Sequence, residues 1–147
     1  MLKSSYGTDK TLERDGVWFE SDDGHNQVLI ARPGGANKKY LKFIAEATRP
    51  HQSKIERNSL ATEIMEKINR ESFCLTCIKG WRYRDDLNSE KWIDNLLLID
   101  EGETVEFSTD AALLVMEEYP DFFSDLQKMA NNFRAYSLDA VESASGN

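Results

Sequence analysis

Residues 16–37 constrain the fold of this chain more than any other stretch. Gly16-Val17-Trp18-Phe19-Glu20 is β-prone, Ser21-Asp22-Asp23-Gly24 supplies a turn, and Gln27-Val28-Leu29-Ile30-Ala31 is a second β-prone run. Asp-Gly between two such runs is a hairpin signal, here with a loop longer than two residues. Arg32 closes the second run, and Pro33-Gly34-Gly35 stops any strand. Asn37 then opens a helix as its N-cap. A hairpin delivered directly into a helix demands mixed α and β packing.

Behind Asn37, Tyr40, Leu41, Ile44, Ala45 and Thr48 fall at helical spacing, with Lys38, Lys39, Lys42 and Glu46 on the other side. Pro50 ends or kinks this helix. Ser59 is placed to cap the next one, whose stripe is Ala61, Met65, Ile68, Ser72 and Leu75 with Ile64 beside it. Gly80 reads as its C-terminal stop. Arg82 to Glu90 is a charged loop. Trp92-Ile93, Leu96 to Ile99 and Thr104 to Phe107, around an Asp100-to-Glu103 turn, fit a second small hairpin, with a helical turn over Trp92 to Leu98 as the alternative. Ser108 caps a further helix with Asp110 in its first turn, and Pro120 suits the first position of the next. Phe122, Leu126, Met129 and Phe133 then recur on one amphipathic face.

The expected fold class is α+β, mostly α-helical, with an N-terminal β-hairpin and a second small one. At 147 residues the chain has the length of one domain and needs neither disulfide nor metal to build a core. The expected organisation is a loosely ordered segment over 1–15, one globular domain over 16–137, and a flexible tail over 138–147. No run is long and apolar enough for a membrane helix, and the first residues lack the apolar core of a secretory signal. A cytoplasmic protein without membrane contact is expected.

Net charge is −8 but unevenly spread. Residues 1–37 carry four Lys/Arg against six Asp/Glu, residues 38–93 twelve against eight, and residues 94–147 two against twelve. The thirds are thus −2, +4 and −10, which sum to −8. An acidic third beside a basic third suits a self-associating or partner-binding protein, with solvated helix faces as the plainer alternative. Nucleic acid is not expected, since phosphate binding needs clustered Lys/Arg that the acidic third would oppose.

Candidate chemistry is sparse. Cys74-Leu75-Thr76-Cys77 has redox-motif spacing, but it lies late in a helical pattern, where a thioredoxin-like thiolate belongs at a helix start. A zinc site needs about four ligands, and only His25 and His51 could assist. Glu117-Glu118 lies on a helix without a nearby histidine, and Pro33-Gly34-Gly35 lacks the lysine of a phosphate loop. Neither an enzyme nor a cofactor is expected.

The order of the landmarks is more informative. Gly16-Val17-Trp18, Val28-Leu29-Ile30-Ala31-Arg32 and Asn37-Lys38-Lys39-Tyr40-Leu41 are followed by Ile78-Lys79-Gly80-Trp81, Phe107-Ser108 ahead of an Ala-Leu-Leu helix, and Tyr119-Pro120-Asp121 ahead of Ala130-Asn131-Asn132-Phe133. Over residues 13–138 this resembles the tail assembly chaperones of long-tailed phages, the group typified by the lambda-like G protein and its HK97 counterpart. The stretch from Arg82 to Glu106 is longer than that pattern.

The resemblance implies a non-catalytic assembly factor of the host bacterial cytoplasm, absent from the mature virion. It implies binding to the tape measure protein, and recruitment of the tail tube protein through a longer form made by ribosomal frameshifting. A chaperone for an amphipathic client needs apolar surface with charged rims. Trp81, Tyr83, Trp92, Phe123, Met129 and Tyr136 are the candidate contact residues, with core packing as the competing role for these aromatics and for the Asp121-to-Tyr136 helix face, above all for Phe122, Leu126 and Phe133. Charge complementarity between the thirds makes a homo-oligomer the expected state. The rival readings are a minor tail subunit retained in the virion and a thiol enzyme using Cys74 and Cys77.

Overall fold

The computed structural model describes residues 1–139, so the last eight residues of the expected tail lie outside the described part. In chain order the elements are α1 (Leu2–Tyr6), α2 (Lys10–Asp15), β1 (Val17–Glu20), β2 (Asn26–Ile30), α3 (Lys38–Thr48), a 3-10 turn (Arg49–His51), α4 (Gln52–Glu56) and α5 (Thr62–Thr76). Then come β3 (Ile78–Tyr83), β4 (Ile93–Asp94), β5 (Leu96–Asp100), β6 (Glu103–Glu106), α6 (Thr109–Glu118), α7 (Pro120–Ala130) and a second 3-10 turn (Phe133–Tyr136). Helix outweighs strand, both expected hairpins are present, and the fold is α+β.

The strands form an antiparallel sheet of order β1-β2-β3-β4 and a separate β5-β6 hairpin. Alternation sets the faces: Phe19, Val28 and Trp81 lie in register on the inner face, and Glu20, Gln27 and Arg82 on the outer one. The inner face packs on α5, α6 and α7 through Phe73, Cys77, Ala112, Met116, Leu126 and Ala130. Asn26, 8% exposed, stitches the second hairpin to the sheet. Its side chain donates to the Leu98 carbonyl at 2.9 Å and accepts from the Leu98 N–H at 2.8 Å, taking the place of a strand partner. Trp81 adds a second stitch, its indole N–H donating to the Val105 carbonyl at 3.0 Å.

Four local expectations change. Gly80 does not stop a helix: α5 ends at Thr76, and Gly80 lies within β3. The run Ile78-Lys79-Gly80-Trp81-Arg82-Tyr83 alternates with period two, and pairing with β2 outweighs the helical pattern before it. Asn37 stands at the N-cap position of α3 but makes no cap hydrogen bond there. Its buried amide donates instead to the carbonyls of Arg32 at 3.0 Å and Thr76 at 3.1 Å, closing the C-terminus of α5. Ser59 likewise does not cap α5: its hydroxyl donates to the Lys54 carbonyl at 3.3 Å, in the last turn of α4. The N-cap of α5 is Ala61, and the buried stripe runs Ile68, Ser72, Phe73 and Thr76 while Met65 and Leu75 face solvent.

The fourth change concerns residues 1–15, read from composition as loosely ordered, which carry α1 and α2. Asp9 caps α2 by accepting from the Leu12 N–H at 2.9 Å. Glu13, 3% exposed, then accepts from Thr8 at 2.9 Å, from the Ala36 N–H at 3.3 Å and from Arg32 at 2.7 Å. Burial by itself raises the Glu13 carboxyl, but these hydrogen bonds and the Arg32 charge hold it below the ordinary value of 4.5. Gly35 makes room for this cluster. A Cβ there would stand 1.8 Å from Glu13 Oε2, and its φ of +54° is one that side chains rarely adopt.

Candidate protein-binding surfaces

The six expected contact residues do not come together. Trp81, Phe123 and Tyr136 are core: they are 1%, 9% and 0% exposed. Trp81 meets Phe107 edge-on at 5.1 Å, Phe123 meets Phe73 at 5.5 Å, and the Tyr136 hydroxyl donates to the Ile30 carbonyl at 3.0 Å. Met129, Tyr83 and Trp92 are half-buried. Met129 leans on the core from α7, Tyr83 is on β3, and Trp92 lies just ahead of β4.

Trp92 belongs to a ladder on the outer sheet face that sequence reading did not anticipate. The Arg82 guanidinium sits 3.9 Å over the Trp18 ring and 5.3 Å from that of Trp92, and the Arg84 guanidinium 4.3 Å over Trp92. Arg82 also donates to Gln27 at 2.9 Å, and Arg84 pairs with Glu20 at 3.3 Å. Arg84 further donates to the carbonyls of Gly24 and Ser89, each at 3.0 Å, tying the expected charged loop to the β1–β2 turn. Planar cations stacked between tryptophans cover this solvent-facing sheet without a second layer. The signal was present, since Trp18 and Arg82 share the outward parity once β3 is recognised as a strand.

The cysteines are neither paired nor poised. Both are free and buried, and desolvation pushes Cys74 up to about 12 and Cys77 to about 11. Hydrogen bonds from Thr76 and Asn37 only partly offset the burial of Cys77. Such thiols are poor sources of thiolate. Among the described residues no group of three or more His, Cys, Asp or Glu could hold a metal, and no helix is long and apolar enough to cross a membrane.

Two features do suit macromolecular contact. The first is the helical arm from Lys38 to Lys67. Although α3, α4 and the start of α5 are helical, none of these thirty residues is buried. Tyr40, Phe43, Ile44 and Ala47 are partly covered as α3 packs on α5, while Leu41, Ile55 and Met65 remain 47%, 36% and 40% exposed. The second is a cleft of about 380 Å³ between β5, the α6–α7 corner and the β1–β2 turn. Leu98, Ile99, Tyr119 and Phe122 give it an apolar lining, and Asp23, Glu118 and Asp121 give it an acidic rim.

Comparison with known proteins adds a family. None of the curated proteins matches the chain, and none of the solved structures does. A model described as the YdaY prophage protein matches residues 35–147, which takes in the arm, β3, the second hairpin and both later helices. The β1–β2 hairpin lies ahead of the match. With well over half of its length matched, the chain is phage-derived and belongs to the YdaY prophage protein family.

Proposed function

We propose that this prophage protein is a non-catalytic tail assembly chaperone. It binds the tape measure protein in the host cytoplasm, helps gather tail tube subunits through a longer frameshifted form, and leaves before the virion is complete. The observation that carries the reading is the uncovered arm: thirty largely helical residues with no buried side chain, and with Ile55 and Met65 open to solvent. A helical pair gains little by exposing such a face to water, and a client amphipathic helix laid along it would bury apolar area at about 25 cal/mol per Å². Lys54, Arg57, Glu63 and Glu66 around those residues give the rim of mixed charge that keeps an open face soluble.

The test is co-expression with the long tape-measure gene of the same prophage. Tape measure protein should be soluble and co-purify with the wild-type chain, and an Ile55→Glu/Met65→Glu variant should lose both effects while keeping its thermal melt. Mass spectrometry of purified particles should find no copy of the chain. Equal tape-measure solubility with and without the chain would overturn the reading. Its presence in virions would point instead to a minor tail subunit.

A further inference from the structure

The acidic cleft and the basic arm carry complementary chemistry on the same molecule. From residue 94 to 127 there are ten Asp/Glu and no Lys/Arg, whereas residues 38–57 hold six Lys/Arg against two Glu. The cleft also adjoins two others. It shares Ser21 and Phe122 with a neighbour lined by Asp125, Lys128 and Met129, and Asp23, Leu98 and Ile99 with another lined by Asp100 and Glu101. The three adjoining clefts share apolar residues and carry carboxylates along their edges, with Lys128 the one Lys or Arg among their described lining residues.

The outer face of α3 has the inverse pattern. Lys38, Leu41, Lys42, Ala45 and Arg49 follow one another at helical spacing, and all five are exposed. This is the side of α3 left free, the partly covered residues being Tyr40, Phe43, Ile44 and Ala47. It presents one leucine knob flanked by cations. Leu41 is 47% exposed, so the arm does not occupy the groove of its own chain.

We infer that the groove receives the α3 face of a second copy, with Leu41 seated on Ile99, Tyr119 and Phe122 and Lys38 and Lys42 facing Glu118, Asp121 and Asp125. The two surfaces differ, so the contact is heterologous: each copy keeps one free arm and one free groove, and copies add head to tail. Salt-bridged rims of this kind steer association and weaken as ions screen them. The proposal stands apart from the tape-measure reading, because it concerns only this chain with itself and uses the face of α3 rather than Ile55 and Met65.

The experiment is sedimentation velocity of the full chain over a concentration series at low and high salt. Three charge-reversed proteins are compared: Lys38→Glu/Lys42→Glu, Glu118→Lys/Asp125→Lys, and all four together. All four positions are exposed, and Lys38→Glu at the start of α3 and Glu118→Lys at the end of α6 also agree with the helix dipoles; folding of each variant is checked by circular dichroism. Wild type should grow in mass with concentration at low salt and less so at high salt. Each two-site variant should associate about tenfold or more weakly, which is about 1.4 kcal/mol. Mixing the two should restore wild-type mass growth, and the four-site protein should associate alone. A wild type that stays monomeric at low salt into the millimolar range overturns the proposal, as do two-site variants that associate like wild type or a mixture that fails to recover.

Discussion

Replacing Glu13 by Gln should destabilise the fold well beyond what one surface ion pair contributes. The Glu13 carboxylate is 3% exposed and lies 2.7 Å from Arg32, whose side chain is 28% exposed. Unit charges about 4 Å apart attract by about 4 kcal/mol at an effective dielectric constant of about 20. Removing one partner of a fully buried pair costs about 3–5 kcal/mol, and the partial exposure of Arg32 lowers this to about 2–3 kcal/mol. For a chain of this length that corresponds to a fall of about 5–10 °C in Tm.

The loss should depend on pH. The folded-state pKa of Glu13 is depressed below 4.5, so its stabilisation is complete above that value and vanishes as pH falls through the lower folded-state value. Wild type and Glu13→Gln should therefore differ at neutral pH and converge in acid. Thermal melts followed by circular dichroism from pH 7 down to about pH 3 measure this, with an Arg32→Gln cycle to isolate the pair. A Glu13→Gln melt within about 1 °C of wild type at pH 7, or an unchanged acid slope, would refute the assignment of Glu13 as the tie between α2 and the Pro33–Gly35 turn.

Three further outcomes follow from buried groups. Asn37→Ala leaves the Thr76 and Arg32 carbonyls without their shared donor and should cost about 1–3 kcal/mol in a urea titration; an unchanged midpoint would mean that the C-terminus of α5 needs no such cap. Tyr136→Phe removes a hydroxyl that is buried and donates to Ile30, with an expected loss of about 1–2 kcal/mol; a gain in Tm would show that the contact contributes nothing net. Cys74 and Cys77, raised to about 12 and about 11, should resist alkylation at pH 8 in the native state and react at once in denaturant. Rapid native-state labelling would contradict their burial.

Legibility in the sequence tracked the range of the interactions involved. The first hairpin, the Ser108 cap and Pro120 at the first position of α7 depend on neighbours within a few residues, and those assignments hold in the structure. Gly80 misled because one residue cannot show whether a helix stops or a strand passes, and the choice was made by pairing of β3 with β2 some fifty residues earlier. Asn37 misled for the same reason. Its position matches a helix N-cap, but a buried amide bonds whatever carbonyls packing brings near, here those of Arg32 and Thr76. Among the candidate contact residues, aromatic type could not separate Trp81, Phe123 and Tyr136, which fill the core, from Trp92, which stacks on two arginines at the surface.

By itself the sequence determined the α+β class, the helices with local start signals and the opposed charges of the middle and final thirds, because periodicity, capping and charge are properties of nearby residues. Only the tertiary structure decided which apolar residues are core, that the stretch from Lys38 to Lys67 forms an arm with no buried side chain, and that acidic residues from the β1–β2 turn, the end of β5 and the α6–α7 stretch edge adjoining clefts. Burial and juxtaposition belong to pairs of residues far apart in the chain, and they exist only once the chain is packed.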